Sequence, residues 1–380
     1  TGAAPGLAVE ILFFDLRNFP AKRRRGVAAA LAREEALIPF DLARPPLFRA
    51  TLVALGAAAH ILLLTFHHVL CDGWSVEILV SELLAAYDAL RGGACPDLPG
   101  LRVQFADYAA WERELLETGA FEAPIAFWCK RLAEPLSPLR LPGAGAPFGE
   151  QGLRTGSLSA QLDRRLGTAL FALGQARGAG AFTTLLALYA ALLAVPYGHG
   201  RARIATLTAN RPVEELEAVF GLFLNTVLID VELGPEESFL DLLERVWASS
   251  LAAYAHAQPP FEAVAERLER LHGVGREGLC QAMLLFDRQW LAPPRSPRLD
   301  CRRLGGEDFG DPPAIASAFD ITLIVGEDAA GLSVCLLYRL ASLSPRAAGQ
   351  VLGDFCALLE RLASDPRAAT LPLGELFRRP

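Results

Sequence analysis

The chain has 380 residues, 52% of them hydrophobic, and carries 36 Lys plus Arg against 43 Asp plus Glu for a net charge of −7. That much apolar sequence supports a sizeable core and two lobes, and the acidic balance argues against nucleic acid as the main partner. Lys22 and Lys130 are the only lysines and neither follows a glycine, so a P-loop is absent.

The predicted elements alternate along the chain. Apolar alternation predicts a strand over 7–16; 20–37 reads as a helix that stops before Pro39, and 40–47 as a loop. The Lys-Arg-Arg-Arg run at 22–25 reads as a solvated face of that helix. Two apolar runs, 48–55 and 60–66, form a hairpin across Gly56. A helix over 76–90 follows, with Ile78, Leu79, Leu83, Leu84 and Tyr87 on its expected inner face, Ser75 as its expected N-cap and Glu77 in its first turn. Helices are expected at 104–117 and 121–132. The Pro- and Gly-rich stretch 135–152 lacks periodicity and reads as a connection, dividing a first lobe, 1–150, from a second, 151–380.

In the second lobe a strand near 155–162 leads to a helix capped by Asp163, and 183–193 reads as a buried, mostly apolar helix. At 183–195 the apolar run is too short to cross a bilayer. A strand at 203–208, a turn at Asn210-Arg211-Pro212, an extended stretch at 223–233 and helices at 238–255 and 261–271 come next. Strands near 280–286, 319–325 and 332–338 precede a last helix opened by Ser344-Pro345, with proline at its permitted first position. This alternation places the chain in the α/β class. Cysteines at 71, 95, 129, 280, 301, 335 and 356 form no CxxC pair, which suits reduced thiols and a cytoplasmic location.

Candidate chemistry concentrates where the 60–66 strand ends in His67-His68-Val-Leu-Cys71-Asp72-Gly73 and Trp74-Ser75 open a helix. Side chains alternate faces along a strand. Extended backbone therefore sends the two imidazoles opposite ways, which leaves one for any given cavity and speaks against a shared metal. An imidazole titrates at about pH 6.5 and can pass a proton near neutrality. Asp72 can order the turn or hold a cation, Gly73 permits positive φ and close backbone approach, and Cys71 is a further catalytic candidate. Asn225 and Thr226 place two polar side chains in an apolar strand, where they need partners or a channel to face. Gly273-Val-Gly275-Arg-Glu-Gly278 fits GxGxxG but follows a helix and precedes a strand, the reverse of a dinucleotide site. Neither GxSxG nor HExxH occurs.

The string from His67 to Ser75 resembles the HHxxxDG signature of condensation domains of nonribosomal peptide synthetases, which are similar in fold to chloramphenicol acetyltransferase. Further resemblances recur in family order. They are Phe40-Asp41-Leu42 with Pro46-Leu47-Phe48-Arg49; Phe105-Ala-Asp107-Tyr108-Ala-Ala-Trp111 for YxDYAxW; Asn210-Arg211 at the family's turn arginine; Gly221-Leu-Phe223-Leu-Asn225-Thr226 for GxFVNT; His256-Ala-Gln258-Pro-Pro260-Phe261-Glu262 for HQxxPFE; and Phe319-Asp320-Ile321-Thr322-Leu323 for FDLTL. Some have plain structural readings as well: Tyr108 and Trp111 suit core packing, and Pro260 with Glu262 is good helix-start chemistry. Departures are Asn210 where glycine is usual, Asp230 where an arginine often stands, and the absence of the family's two N-terminal motifs.

The resemblance implies two acyltransferase-like lobes in a V, with a channel between them. There an acceptor amine on one carrier protein attacks a donor aminoacyl or peptidyl thioester on another. Both substrates ride on phosphopantetheine arms, and no bound cofactor, metal or covalent enzyme intermediate is implied. The resemblance marks His68 as catalytic, either as a base or as a group that positions the amine and stabilises the tetrahedral intermediate, with the Gly73 N–H assisting. It marks His67, Asp72 and Arg211 as structural, the last two as an ion pair. Trp74, Ser75, Asn225 and Thr226 are candidates for lining the channel. An adenylation domain is expected downstream in the parent chain. The alternatives are an acyltransferase using a free acceptor to form an ester or amide, a non-catalytic domain recruiting another enzyme, and an epimerase, which the HQxxPFE-like stretch disfavours. A cyclising domain would carry aspartates in place of the histidines. The missing motifs imply a fragment whose 7–16 strand has an uncovered apolar surface.

Overall fold

A short parallel pair begins the first sheet. Strand β1 (Ile11–Asp15) runs parallel to β2 (Phe48–Ala54), with helix α1 (Ala21–Leu37) as the crossover that parallel pairing requires, and β2 turns back on β3 (His60–Phe66). These elements come from a computed structural model that describes residues 10–137, 139, 154–234, 236–287, 296–304, 319–327 and 331–377. The first three residues of the expected 7–16 strand, and most of the expected 135–152 connection, lie outside that set.

Two compact units emerge from the packing. One comprises Thr1–Glu114, Arg211–Leu224 and Pro293–Pro313; the other comprises Leu115–Asn210, Asn225–Ala292 and Ala314–Pro380. A single cut near residue 150 is not how the contacts group. The chain crosses within α3 (Phe105–Glu117), again between Asn210 and Arg211, and again between Leu224 and Asn225.

The first unit has a small core of Leu16, Ala28, Val53 and Ile61. Alanine at 28 and 29 lets α1 lie close to the sheet, and Arg49 on β2 pairs with Glu35 of α1. Every residue of β1 is exposed, including Ile11 at 58% and Phe13 at 56%. Helix α2 (Gly73–Arg91) starts three residues before the expected position, and only Ser75 within it is buried. Leu83 and Tyr87, assigned to the inner face by periodicity, are exposed. A helical stripe reports which side chains share a face, not whether anything covers them. Trp111 is likewise exposed, whereas Tyr108 packs with Leu216, Val219 and Phe223 in a second cluster of this unit.

The second unit holds a mixed sheet of six strands, ordered β4-β9-β8-β7-β5-β6. In chain order they are β4 (Thr155–Asp163), β5 (Arg201–Thr208), β6 (Asn225–Glu232), β7 (Ala282–Asp287), β8 (Ile321–Glu327) and β9 (Gly331–Arg339). The β5–β7 and β7–β8 pairs are parallel and the other three antiparallel. Helix α4 (Glu122–Arg131) precedes the sheet, and Asp163 caps α5 (Arg164–Gln175) by accepting from the Arg165 N–H. Helix α6 (Ala181–Ala194) is buried from Thr183 to Ala194, as an all-round apolar sequence requires. Helix α7 (Phe239–Tyr254) opens on a reciprocal Ser238–Asp241 capping box, and α8 (Phe261–His272) starts after Pro260. One turn, α9 (Arg276–Leu279), separates α8 from β7. Helix α10 (Pro345–Ser364) buries Val351, Leu352, Phe355, Leu358, Leu359 and Leu362 along one face. No helix among the described residues is long and apolar enough to cross a membrane.

Candidate active site

Extended backbone ends at His67, which begins a short 3-10 turn, His68–Leu70, before α2. The alternation expected of the two histidines therefore gives way to a turn that assigns them different work. His67 Nδ1 accepts a hydrogen bond from the Val69 N–H at 3.1 Å and caps the turn. Phe40 meets its ring edge-on at 6.1 Å, and the Arg49 guanidinium lies over Phe40. His68 is exposed, and its Nδ1 lies 2.8 Å from the Cys71 carbonyl oxygen. A carbonyl only accepts, so Nδ1 carries the proton, and the tautomer this fixes has its lone pair at Nε2. Cys71 itself is buried, and burial, followed by the Asp72 charge, pushes its thiol up to about 11. A neutral thiol at physiological pH is a poor nucleophile.

Asp72 is the N-cap of α2, the place expected for Ser75. One carboxylate oxygen accepts from the Ser75 N–H at 2.8 Å and the other from the Phe223 N–H at 3.1 Å. Arg211 reaches the first oxygen only at 3.5 Å. Its guanidinium also donates to the Leu216 and Val219 carbonyls and to the Ser75 hydroxyl, and lies 3.9 Å over the Phe223 ring. Both side chains are almost wholly buried, at 2% and 0% exposure. Burial pulls the Arg211 guanidinium below its ordinary range, and Asp72 opposes that shift.

Gly73 is the first residue of α2 and is not one of the positive-φ glycines; its value here is an N–H that the helix itself leaves unused. Trp74 is exposed and donates from Nε1 to the Glu217 carbonyl at 2.8 Å. Ser75 has no exposed surface. Its hydroxyl donates to the Gly221 carbonyl at 2.7 Å and accepts from the Gly221 N–H at 3.0 Å and from Arg211 at 3.1 Å. A side chain so enclosed does not line a channel.

Asn225 and Thr226 belong to the other unit. The Asn225 amide donates to the Ala257 and Pro259 carbonyls and accepts from the Phe261 N–H, which clasps the turn that starts α8. Its polarity is thus explained by partners, and it is buried. Thr226 borders a small void together with Trp128, Leu132 and Phe261. The structure therefore gathers His68, Asp72, Gly73, Trp74, Ser75 and Arg211 in one unit, and Asn225 and Thr226 belong to the other. The Cys71 carbonyl, the Gly221 backbone and the Phe223 N–H were missed from sequence, because backbone groups carry no residue-type signal.

A mixed α/β fold with an exposed, carbonyl-anchored histidine at a strand-to-helix turn is the class of protein these observations define. The family model for the condensation domain matches residues 5–372, and the chain belongs to that family. It is 34% identical to a component of the linear gramicidin synthase of Brevibacillus parabrevis, over 94% of this chain and 7% of that protein. It is 33% identical to malpibaldin synthetase of Mortierella alpina, over 94% of this chain and 6% of that protein. The chain thus spans less than a tenth of the length of either relative. Among solved structures, the X-domain from teicoplanin biosynthesis superposes with a TM-score of 0.79 at 25% identity, covering 96% of this chain and 81% of that one. The first condensation domain of the calcium-dependent antibiotic synthetase has the same fold, with a TM-score of 0.77 at 21% identity, covering 98% and 81%.

Proposed function

We propose that this chain forms amide bonds between a donor aminoacyl or peptidyl thioester and an acceptor amine, each carried on the phosphopantetheine arm of a carrier protein. The observation that carries this reading is the His68 ring. Its Nδ1 is tied to the Cys71 carbonyl, so Nε2 is the acceptor on an exposed imidazole. Membership in the condensation-domain family supports amide formation as the reaction class, and the likeness to peptide synthetase subunits supports carrier proteins as the partners. An adenylation domain in the parent chain is the third proposed partner.

In the proposed step the amine nitrogen bonds to the thioester carbonyl carbon while Nε2 of His68 takes the proton that nitrogen sheds. The tetrahedral intermediate then collapses, the C–S bond breaks, and the proton passes from Nε2 to the departing sulfur. Amide and free thiol are the products, and His68 returns to its starting state. We assign the Gly73 N–H to orienting the substrate or the developing oxyanion. His67, Asp72 and Arg211 hold the turn, and Trp74 and Thr226 are the retained candidates for contact with substrate.

A second reading, recruitment of another enzyme without catalysis, draws on the likeness to the X-domain, which has been solved in complex with OxyB. A reaction with loaded donor and acceptor carriers separates the two. The expected product is the amide, formed without ATP and not replaced by product from free acids. Carrier binding with no amide from either carrier-bound or free amines favours recruitment, and ATP-dependent use of free acids refutes the proposal.

A further inference from the structure

We propose that Ser75 is a positioning residue for His68: by bolting the Gly221 backbone to the first turn of α2, it holds the Cys71 carbonyl where it fixes the His68 tautomer. This inference rests on the reading of His68 as the acting imidazole.

One continuous set of contacts in the first unit links the two residues. The Ser75 hydroxyl uses all of its hydrogen-bonding capacity: it donates to the Gly221 carbonyl and accepts from the Gly221 N–H and from Arg211. Its own N–H goes to Asp72, whose second oxygen holds the Phe223 N–H. Residues 221–223 are thereby attached to the start of α2 at two points, one through Ser75 and one through Asp72. Phe105 closes the far side: a methyl group added at Gly221 would stand 2.2 Å from its ring. Trp74 ties down the same excursion at Glu217. Cys71 directly precedes Asp72, and its carbonyl is the anchor of His68 Nδ1. Any shift of the α2 start is therefore delivered to that carbonyl.

Removing the Ser75 hydroxyl leaves the Gly221 N–H and carbonyl without that partner and takes one contact from the Arg211 guanidinium, at a side chain with no exposed surface. Relaxation there has to move either 221–223 or the α2 start. The second movement lengthens the contact between His68 and the Cys71 carbonyl and frees the ring to exchange tautomers. A residue with only a fold-keeping role would lower stability and leave the surviving folded fraction with the wild-type tautomer.

The test uses the full chain labelled with 15N at histidine, of which there are six. Long-range proton–nitrogen spectra report the tautomer of each ring. His256 is an internal control, because its Nδ1 also lies 2.8 Å from a carbonyl, that of Ala252, in the other unit. In wild type both rings show the Nδ1–H pattern, with the His68 signal assigned by its loss in His68→Ala. In Ser75→Ala the His68 signal is expected to shift toward a mixture of tautomers while His256 is unchanged. With carrier-loaded substrates, kcat is expected to fall by up to about 100-fold, as for a misplaced catalytic group, with KM changing much less. Ser75→Cys, of similar shape with a weaker donor, should fall between the two, and it is the variant to read if Ser75→Ala does not fold. Wild-type tautomer at His68 in the folded variants overturns the inference, whatever the activity. Full activity of His68→Ala would instead overturn the reading of His68 and leave the tautomer result to stand by itself.

Discussion

Each unit of the molecule buries an aspartate with arginine, and the two sites are built on opposite principles. Around Asp72 the charges hold backbone. The carboxylate takes the Ser75 and Phe223 N–H groups, Arg211 takes the Leu216 and Val219 carbonyls, and the two charges meet only at 3.5 Å. Around Asp230 the charges hold each other most closely through Arg201, while Arg203 also donates to the Leu279 and Glu134 carbonyls. Arg201 and Arg203 on the neighbouring strand β5 both contact its carboxylate, and Arg131 and Ser249 converge on its carbonyl. Asp230 raises Arg201 above its ordinary range by hydrogen bonding, whereas burial pulls Arg203 down. The first arrangement shapes a turn and a 14-residue excursion, 211–224. The second pins two strands already paired by their backbones. A buried ion pair is thus a hub for loops in one place and a rivet within a sheet in the other.

The largest expected effect breaks the sheet site. Asp230→Arg installs the residue common in the family but faces it with Arg201 and Arg203, so the variant is expected not to fold cooperatively by thermal melt. Asp230→Ala, which strands two guanidiniums, should cost about 3–5 kcal/mol. A double-mutant cycle sharpens the contrast. Arg201 with Asp230 should show direct coupling toward the upper end of the usual range of about 0.5–3 kcal/mol, and Arg211 with Asp72 toward the lower end. Equal coupling at the two sites would show that both ion pairs hold their charges together in the same way.

At the turn site, Arg211→Ala should cost about 3–5 kcal/mol in chemical denaturation, chiefly through orphaned carbonyls and an unneutralised Asp72. Asp72→Asn keeps an acceptor for one N–H but turns an amide donor toward the other, so a smaller loss of about 1–3 kcal/mol is expected. Gly221→Ala forces a methyl against the Phe105 ring and should cost about 1–3 kcal/mol. Pairing it with Phe105→Leu, which clears space, should recover part of the loss.

These sites also show what a sequence gives away. Elements were legible wherever composition and period agreed: α1, the β2–β3 hairpin, α6 and the Ser344-Pro345 start of α10 lie where patterning put them. The His67 to Ser75 string was legible as a site because polar residues interrupt an apolar strand. The hub at Ser75 was not, since its hydroxyl partner stands 146 positions away and is a backbone glycine. The same distance problem made Asn225 look like a channel residue, although its acceptors at 257 and 259 satisfy it. The N-cap was misplaced by three residues because Asp72 and Ser75 are both good caps, and only the tertiary demand of Gly221 decides between them.

The smallest expected effect concerns the thiols. Burial pushes Cys71 up to about 11 and Cys280 up to about 12. The unfolded thiols ionise near their ordinary value of 9.0 while the folded ones stay protonated, so unfolding releases protons in alkaline solution. Stability should therefore be unaffected by these groups below pH 9 and decline as pH rises from there toward 11 to 12. Replacing Cys280 by alanine or serine should flatten that decline. At neutral pH an alkylating reagent should label exposed Cys95 well before Cys71 or Cys280.

In the proposed reaction His68, anchored by the Cys71 carbonyl and presenting Nε2, performs the proton transfer. Single-turnover condensation with loaded carriers, comparing wild type with His68→Ala at matched thermal stability, tests it most directly. A fall of about 100- to 10,000-fold in the rate of amide formation, with the fold retained, is the predicted result. Amide formation by folded His68→Ala at close to the wild-type rate would contradict it.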